Sequence, residues 1–185
     1  MKRIALVLIS VAALVAIISH TPASGQDVKK TTQGEASPIY GVTIPDGYRD
    51  WKLIAVNQLK TDKIDQLRAQ LGNDVAINAL KEGKLPFPDG SVIVALHWTR
   101  VPSEDNNKAL AGPFPGAQSF VIDSPVNMQV MVKDSKKYAA SGGWGFGDFK
   151  DGKPADEATT RTCFPCHGPA KDRDYVFAHY APFTP

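Results

Sequence analysis

Cysteine is scarce in this sequence of 185 residues: there are two, beside four histidines and three methionines. Two cysteines allow one internal disulfide and no disulfide framework. There is no basic run and no charge contrast between the halves, so a nucleic acid is not an expected partner. Internal repeats are absent. The longest apolar run, Ile4 to Ile18 with Ser10 as its one break, falls short of the ~20 apolar residues of a spanning helix. What remains as a partner class is small molecules or other proteins.

That apolar run has a different use. Lys2 and Arg3 precede it, and the small residues Ala23, Ser24 and Gly25 follow it, which is the layout of a secretory signal peptide over residues 1–25. The expected location is therefore periplasmic, with membrane attachment only if the signal stays uncleaved. Lys2 and Arg3 also account for the formal charge of +2, leaving a formally neutral remainder. Residues 26–44 are polar at first and are expected to form a tether with little structure. A single folded domain is expected over 45–185.

Within that domain, Asp50 to Gln58 suggests a first strand. Thr61 to Glu82 has helical character, with Ile64, Leu67 and Leu71 on one face. Asn73 then caps a second short helix carrying Ala76, Ile77 and Leu80, which stops at Gly83. Pro86 to Gly90 is turn chemistry. Ser91 to Thr99 alternates: Val92, Val94, Leu96 and Trp98 suit a core, while Ile93, Ala95, His97 and Thr99 form a mixed face fit for solvent or a cofactor. Pro102 to Gly116 reads as a loop. Strands follow at Gln118 to Ile122, Asn127 to Lys133 and around Trp144 to Phe149, where four glycines imply close backbone approach. The expected class is α+β, a mainly antiparallel sheet with packed helices and a helical C-terminal segment.

That last segment contains Cys163-Phe164-Pro165-Cys166-His167, a C-x-x-C-H sequence and the attachment signature of haem c. Two thiols one helical turn apart can each add across one haem vinyl group, forming two thioethers. The next residue then offers an imidazole to the iron. Haem c is assembled outside the bacterial cytoplasm, in agreement with the signal peptide. Three rivals exist. A thioredoxin-like redox pair opens a helix with most of its domain still ahead, whereas this motif comes late. A zinc finger from Cys163, Cys166 and His179 needs a further histidine three to five residues on, and the sequence shows none. A Cys163–Cys166 disulfide remains the plain alternative.

One such motif implies one haem, with His167 as the iron ligand. The sixth position separates electron carriers from enzymes and gas binders. His97, His179, Met128 and Met131 are the available side chains. Met128 shares strand parity with Val126, Val130 and Val132 and is expected in the core; Met131 falls on the more polar face. His179 stands too close in chain to His167 to reach the opposite haem face easily. His97 is the serious candidate.

Several short segments together resemble the cytochrome P-460 family, whose β-sheet cytochromes c′ are close relatives. They are Gly47 to Trp51, Phe87 to Val92, Val132 to Ser135, Gly143-Trp144, the haem motif, and Asp174 to Phe177. The resemblance implies an antiparallel sheet with helices, a homodimer in many members, and five-coordinate haem handling hydroxylamine or nitric oxide. In hydroxylamine oxidisers a lysine after the F-x-D-G turn cross-links to the macrocycle. Ala95 stands at that position here, so no such bond can form and the oxidase activity is in doubt.

The same resemblance puts residue 95 at the haem, and period-two geometry aims His97 into that cavity as a hydrogen-bonding or proton-transfer group. The alternative is a solvent-facing strand histidine. Arg68 matches a distal arginine of the family and would stabilise anionic ligands or propionates; alternatively it is an exposed helix residue. Asp156 and Glu157 lie where hydroxylamine oxidisers keep a proton-handling acid, or simply begin a helix. Phe87, Trp98, Trp144 and Phe146 could wall the haem or fill the core. The expected function is an exported mono-haem c-type cytochrome with an open distal site, catalytic or ligand-binding through His97 and Arg68, served by a periplasmic redox partner. A six-coordinate electron carrier is the alternative.

Overall fold

The computed structural model describes residues 34–181; the expected signal peptide and the first part of the tether lie outside them. Six strands form one sheet in sequence order, every neighbouring pair antiparallel: β1 (Lys52–Lys60), β2 (Asp65–Gly72), β3 (Val92–Pro102), β4 (Phe120–Lys133), β5 (Trp144–Lys150) and β6 (Lys153–Pro154). The helices are α1 (Asp74–Lys81), α2 (Glu104–Leu110), α3 (Glu157–Arg161) and α4 (Cys163–His167), the last followed by a 3-10 turn, Gly168–Arg173. The α+β expectation holds. Among the described residues no helix is long and apolar enough to cross a membrane.

Both faces of the sheet are covered. The even residues Val92, Val94 and Leu96 pack with Val130, Phe149 and Tyr138 beneath Val42, Ile44, Tyr48 and Trp51. The odd residue Ile93 belongs to the opposite core, with Ile54, Ile77, Met131, Trp144, Phe146 and Val176. α1 and the C-terminal segment cover that side.

The first cover corrects the tether. Residues 34–44 are part of the fold, because Val42 and Ser37 are buried and Ser37 Oγ donates to the carbonyl of Phe146 at 2.9 Å. Polar composition hid this: Tyr40, Val42 and Ile44 are enough for the stretch to join Tyr48 and Trp51 over that sheet face.

Two other expectations fail locally. Residues 65–72 form β2 and not a helix. Ile64, Leu67 and Leu71 fit a helical face, but Leu67, Ala69 and Leu71 also alternate with Gln66, Arg68 and Gln70. Pairing to β1 and β3 on both sides decides for the strand. Asn73 does cap α1, its side chain accepting from Ala76 N at 3.0 Å. The loop expected at 102–116 contains α2, capped by Ser103, and the two strands expected at 118–133 are one. Pro125 sits opposite Trp98 where the register shifts; a bulge tolerates a residue with no N–H to donate.

The glycines around Trp144 do mark close approach, to protein. A Cβ on Gly145 would lie 2.3 Å from the Tyr138 ring, and one on Gly142 2.2 Å from that of Tyr175.

Candidate haem site

Antiparallel register places cross-strand neighbours side by side on one face. Gln70, Ala95, Gln129 and Asp148 form one row across β2 to β5; Arg68, His97 and Asn127 form the next; Gly72, Ile93, Met131 and Phe146 form a third. The C-terminal segment crosses in front of this face. Between the two lies a cavity of about 360 Å³. Its sheet wall includes Arg68, Ala95, His97, Met131, Phe146 and Asp148, and its opposite wall includes Cys163, Cys166 and His167. Cys163, Cys166 and His167 therefore share one space with Arg68, Ala95 and His97.

The attachment residues are presented by α4. Cys163 and Cys166 stand one turn apart on the same side, and both thiols are free, Cys163 half-buried and Cys166 exposed. Burial pushes the Cys163 thiol up to about 11, aided by Asp148 and Cys166. A redox-active pair needs the opposite shift, which counts against the thioredoxin-like reading. His179 is exposed and takes a hydrogen bond from Arg173 Nη1, away from any zinc set with the cysteines.

His167 has the surroundings of a metal-binding imidazole. Its Nδ1 is 2.7 Å from the carbonyl of Tyr175. A carbonyl only accepts, so Nδ1 carries the proton and Nε2 keeps its lone pair, the second-shell arrangement usual for ligating histidines. Burial lowers its pKa, opposed by that hydrogen bond, and favours the neutral ring. Phe146 and Phe177 flank it, with ring centroids 5.1 and 5.3 Å away.

The carbonyl is aimed by an unusual backbone. Asp174 and Tyr175 both have positive φ, 52° and 65°; such conformations cost non-glycine residues about 1–3 kcal/mol each. The Asp174 carboxylate is held by Lys133 Nζ at 2.8 Å and by the Phe87 N–H at 2.8 Å. Lys133 also donates to the carbonyl of Gly142 at 3.0 Å. Three segments of the family resemblance thus meet at one buried ion pair and serve the strained turn.

On the sheet wall His97 is buried, and its Nδ1 lies 2.8 Å from Asn127 Oδ1. Burial, with help from Arg68, pushes its pKa down to about 4. A solvent-facing histidine is ruled out. Arg68 is a strand residue, not the exposed helix residue considered from sequence. Its guanidinium is half-buried and donates to the neutral Gln66 amide, Nε at 3.3 and Nη2 at 3.0 Å; burial lowers its pKa.

The remaining candidates sort cleanly. Asp156 caps α3, accepting from Thr159 N at 2.8 Å, and Glu157 pairs with Arg161 on the surface, so the acidic helix start is correct. Of the four aromatics, Phe146 lines the cavity; Trp144 and Phe87 pack edge to face in the core, and Trp98 faces the other side. Met128 packs in the core as expected, whereas Met131 is buried on the cavity wall. Sequence reasoning missed Gln70, Gln129 and Asp148. Asp148 follows Phe146 by two residues in one strand, so strand parity carried a signal for it.

The donor set fits a covalently held haem: two free thiols and an imidazole with an available Nε2 border one partly apolar cavity. A family model described as cytochrome P-460 matches residues 45–178. A search of curated proteins finds no match.

Proposed function

Because the chain belongs to the cytochrome P-460 family and so is a haem-binding cytochrome, we propose that it is an exported, mono-haem c-type cytochrome whose open distal side binds or redox-converts small nitrogen compounds, nitric oxide or hydroxylamine. The observation that carries this is the shared cavity, with Cys163, Cys166 and His167 on one wall and Arg68, Ala95 and His97 on the other. Cys163 and Cys166 would hold the porphyrin through thioethers, and His167 Nε2 would bind the iron. Haem supplies a redox-active iron able to take a small ligand.

The protein's own part is positional. Tyr175 keeps the His167 ring in one tautomer and orientation. Arg68 brings a fixed positive charge to the cavity for anionic ligands or propionates. His97 contributes a neutral imidazole for hydrogen bonding or proton transfer. Ala95 offers no amine for a cross-link, so the lysine-dependent hydroxylamine oxidase chemistry is the weaker branch. The partners of this reading are a small nitrogen ligand and a periplasmic redox protein; a homodimer and a cleaved signal peptide belong to it as proposals too.

His97 also favours a second reading, a six-coordinate electron carrier, since a buried neutral imidazole faces the same cavity as His167. Optical spectra of the ferric and ferrous holoprotein test both. A high-spin ferrous form that binds carbon monoxide or nitric oxide supports the open site. A low-spin ferrous form that ignores both supports the electron carrier.

A further inference from the structure

Asp148 sits on β5 with no cationic partner among the described residues, yet its carboxylate accepts three amide hydrogen bonds. Asn127 Nδ2 donates to both oxygens, at 2.9 and 2.8 Å, and Gln129 Nε2 donates to one, at 3.0 Å. A carboxylate offers acceptors only, so the amide side of Asn127 has to face it. The carbonyl side of Asn127 then faces His97, whose Nδ1 is 2.8 Å from Oδ1. An amide oxygen accepts only, so Nδ1 of His97 carries the ring proton.

The consequence falls on the other ring nitrogen. A neutral imidazole protonated at Nδ1 has a bare lone pair at Nε2. The ring is neutral because burial holds its pKa near 4; Arg68 works in the same direction, and Asn127 and Asp148 oppose it. Nε2 has no hydrogen-bond partner of its own among the described residues. It is also not sealed in, since Trp144 Nε1 is the one buried side-chain nitrogen or oxygen left without a partner there. His97 shares the cavity with Cys163, Cys166 and His167.

The geometry points to Asp148, acting through Asn127, as a positioning residue that fixes His97 as a hydrogen-bond acceptor towards the cavity, so that the site favours small ligands carrying N–H or O–H. Hydroxylamine is of that class; nitric oxide and carbon monoxide are not. Arg68 supplies the complementary donor for an anionic or lone-pair atom. This rests on the haem proposal above and deepens it by naming the ligand class.

The test uses the haem-loaded protein, so a colourless product reports failure of the haem proposal and not of this one. The C–O stretch of the ferrous carbon monoxide complex responds to its neighbours: a nearby lone pair raises it and a nearby N–H lowers it. We expect the wild-type band to lie above that of His97→Leu. Asp148→Asn frees Asn127 to turn over, and the band then moves to lower wavenumber. Hydroxylamine binding, followed by rapid-mixing spectra, should weaken roughly 2- to 10-fold in Asp148→Asn, the loss of one neutral hydrogen bond, while nitric oxide affinity holds. A wild-type band below that of His97→Leu overturns the proposal. So does an unchanged Asp148→Asn band, an equal loss of both ligands, or a wild-type iron that takes no carbon monoxide because His97 ligates it. Should Asp148→Asn fail to fold, the wild-type and His97→Leu comparison still fixes the sign.

Discussion

Lys133 Nζ lies 2.8 Å from both carboxylate oxygens of Asp174, and the two side chains are only 4% and 9% exposed. Removing one member of such a pair strands the other charge in the interior, at about 3–5 kcal/mol. Lys133→Ala is therefore expected to lose that much stability in denaturant unfolding. Because Asp174 precedes the carbonyl that orients His167, its loaded form should also show an altered ferric spectrum. A loss below 1 kcal/mol would mean the pair is not buried in solution as it is here.

Gly142 offers a sharper test of the same turn. Its φ is +66°, and an added Cβ would lie 2.2 Å from the Tyr175 ring. Gly152 has φ +77° and open space around it, so it isolates the backbone cost alone. Gly142→Ala should lower the melting temperature well beyond Gly152→Ala. Equal effects would show that the Tyr175 ring moves freely.

Much of this was legible beforehand. The haem motif is local and contiguous, and the alternation of 91–99 gave the cavity face with His97 on it. β2 was not legible, because Leu67 and Leu71 satisfy both periods and only pairing with β1 and β3 chooses. The part of Tyr40, Val42 and Ile44 in covering the Val94 face was hidden too, since three such residues in a polar stretch leave no periodic trace. The Asp148–Asn127–His97 chain joins residues far apart in sequence, and only register aligns them.

His97 carries a pH prediction. Its folded pKa, about 4, lies below the ordinary 6.5. The unfolded chain therefore binds the extra proton first. The contribution of the neutral buried ring is complete above pH 6.5 and is lost as pH falls towards 4, on the order of 3 kcal/mol in all. Urea unfolding between pH 7 and 4 should show a shallower slope for His97→Gln than for wild type. Matching slopes would contradict the buried neutral ring.

Arg68 should matter for charged ligands. A charge-assisted hydrogen bond contributes about 1.5–3 kcal/mol, so Arg68→Leu is expected to weaken azide binding to the ferric protein roughly 10- to 100-fold. Carbon monoxide binding to the ferrous protein should be unaffected. Equal azide affinity in both proteins would place the guanidinium with the propionates.

The central claim is that Cys163 and Cys166 fasten one haem beside His167. The mass of the denatured, purified protein after expression with a working haem c maturation system tests it directly. The account predicts the mass of the processed chain plus one haem, retained in acidified organic solvent and lost in the Cys163→Ala, Cys166→Ala double variant. A mass equal to the polypeptide alone, with or without two hydrogens removed by a disulfide, would contradict it.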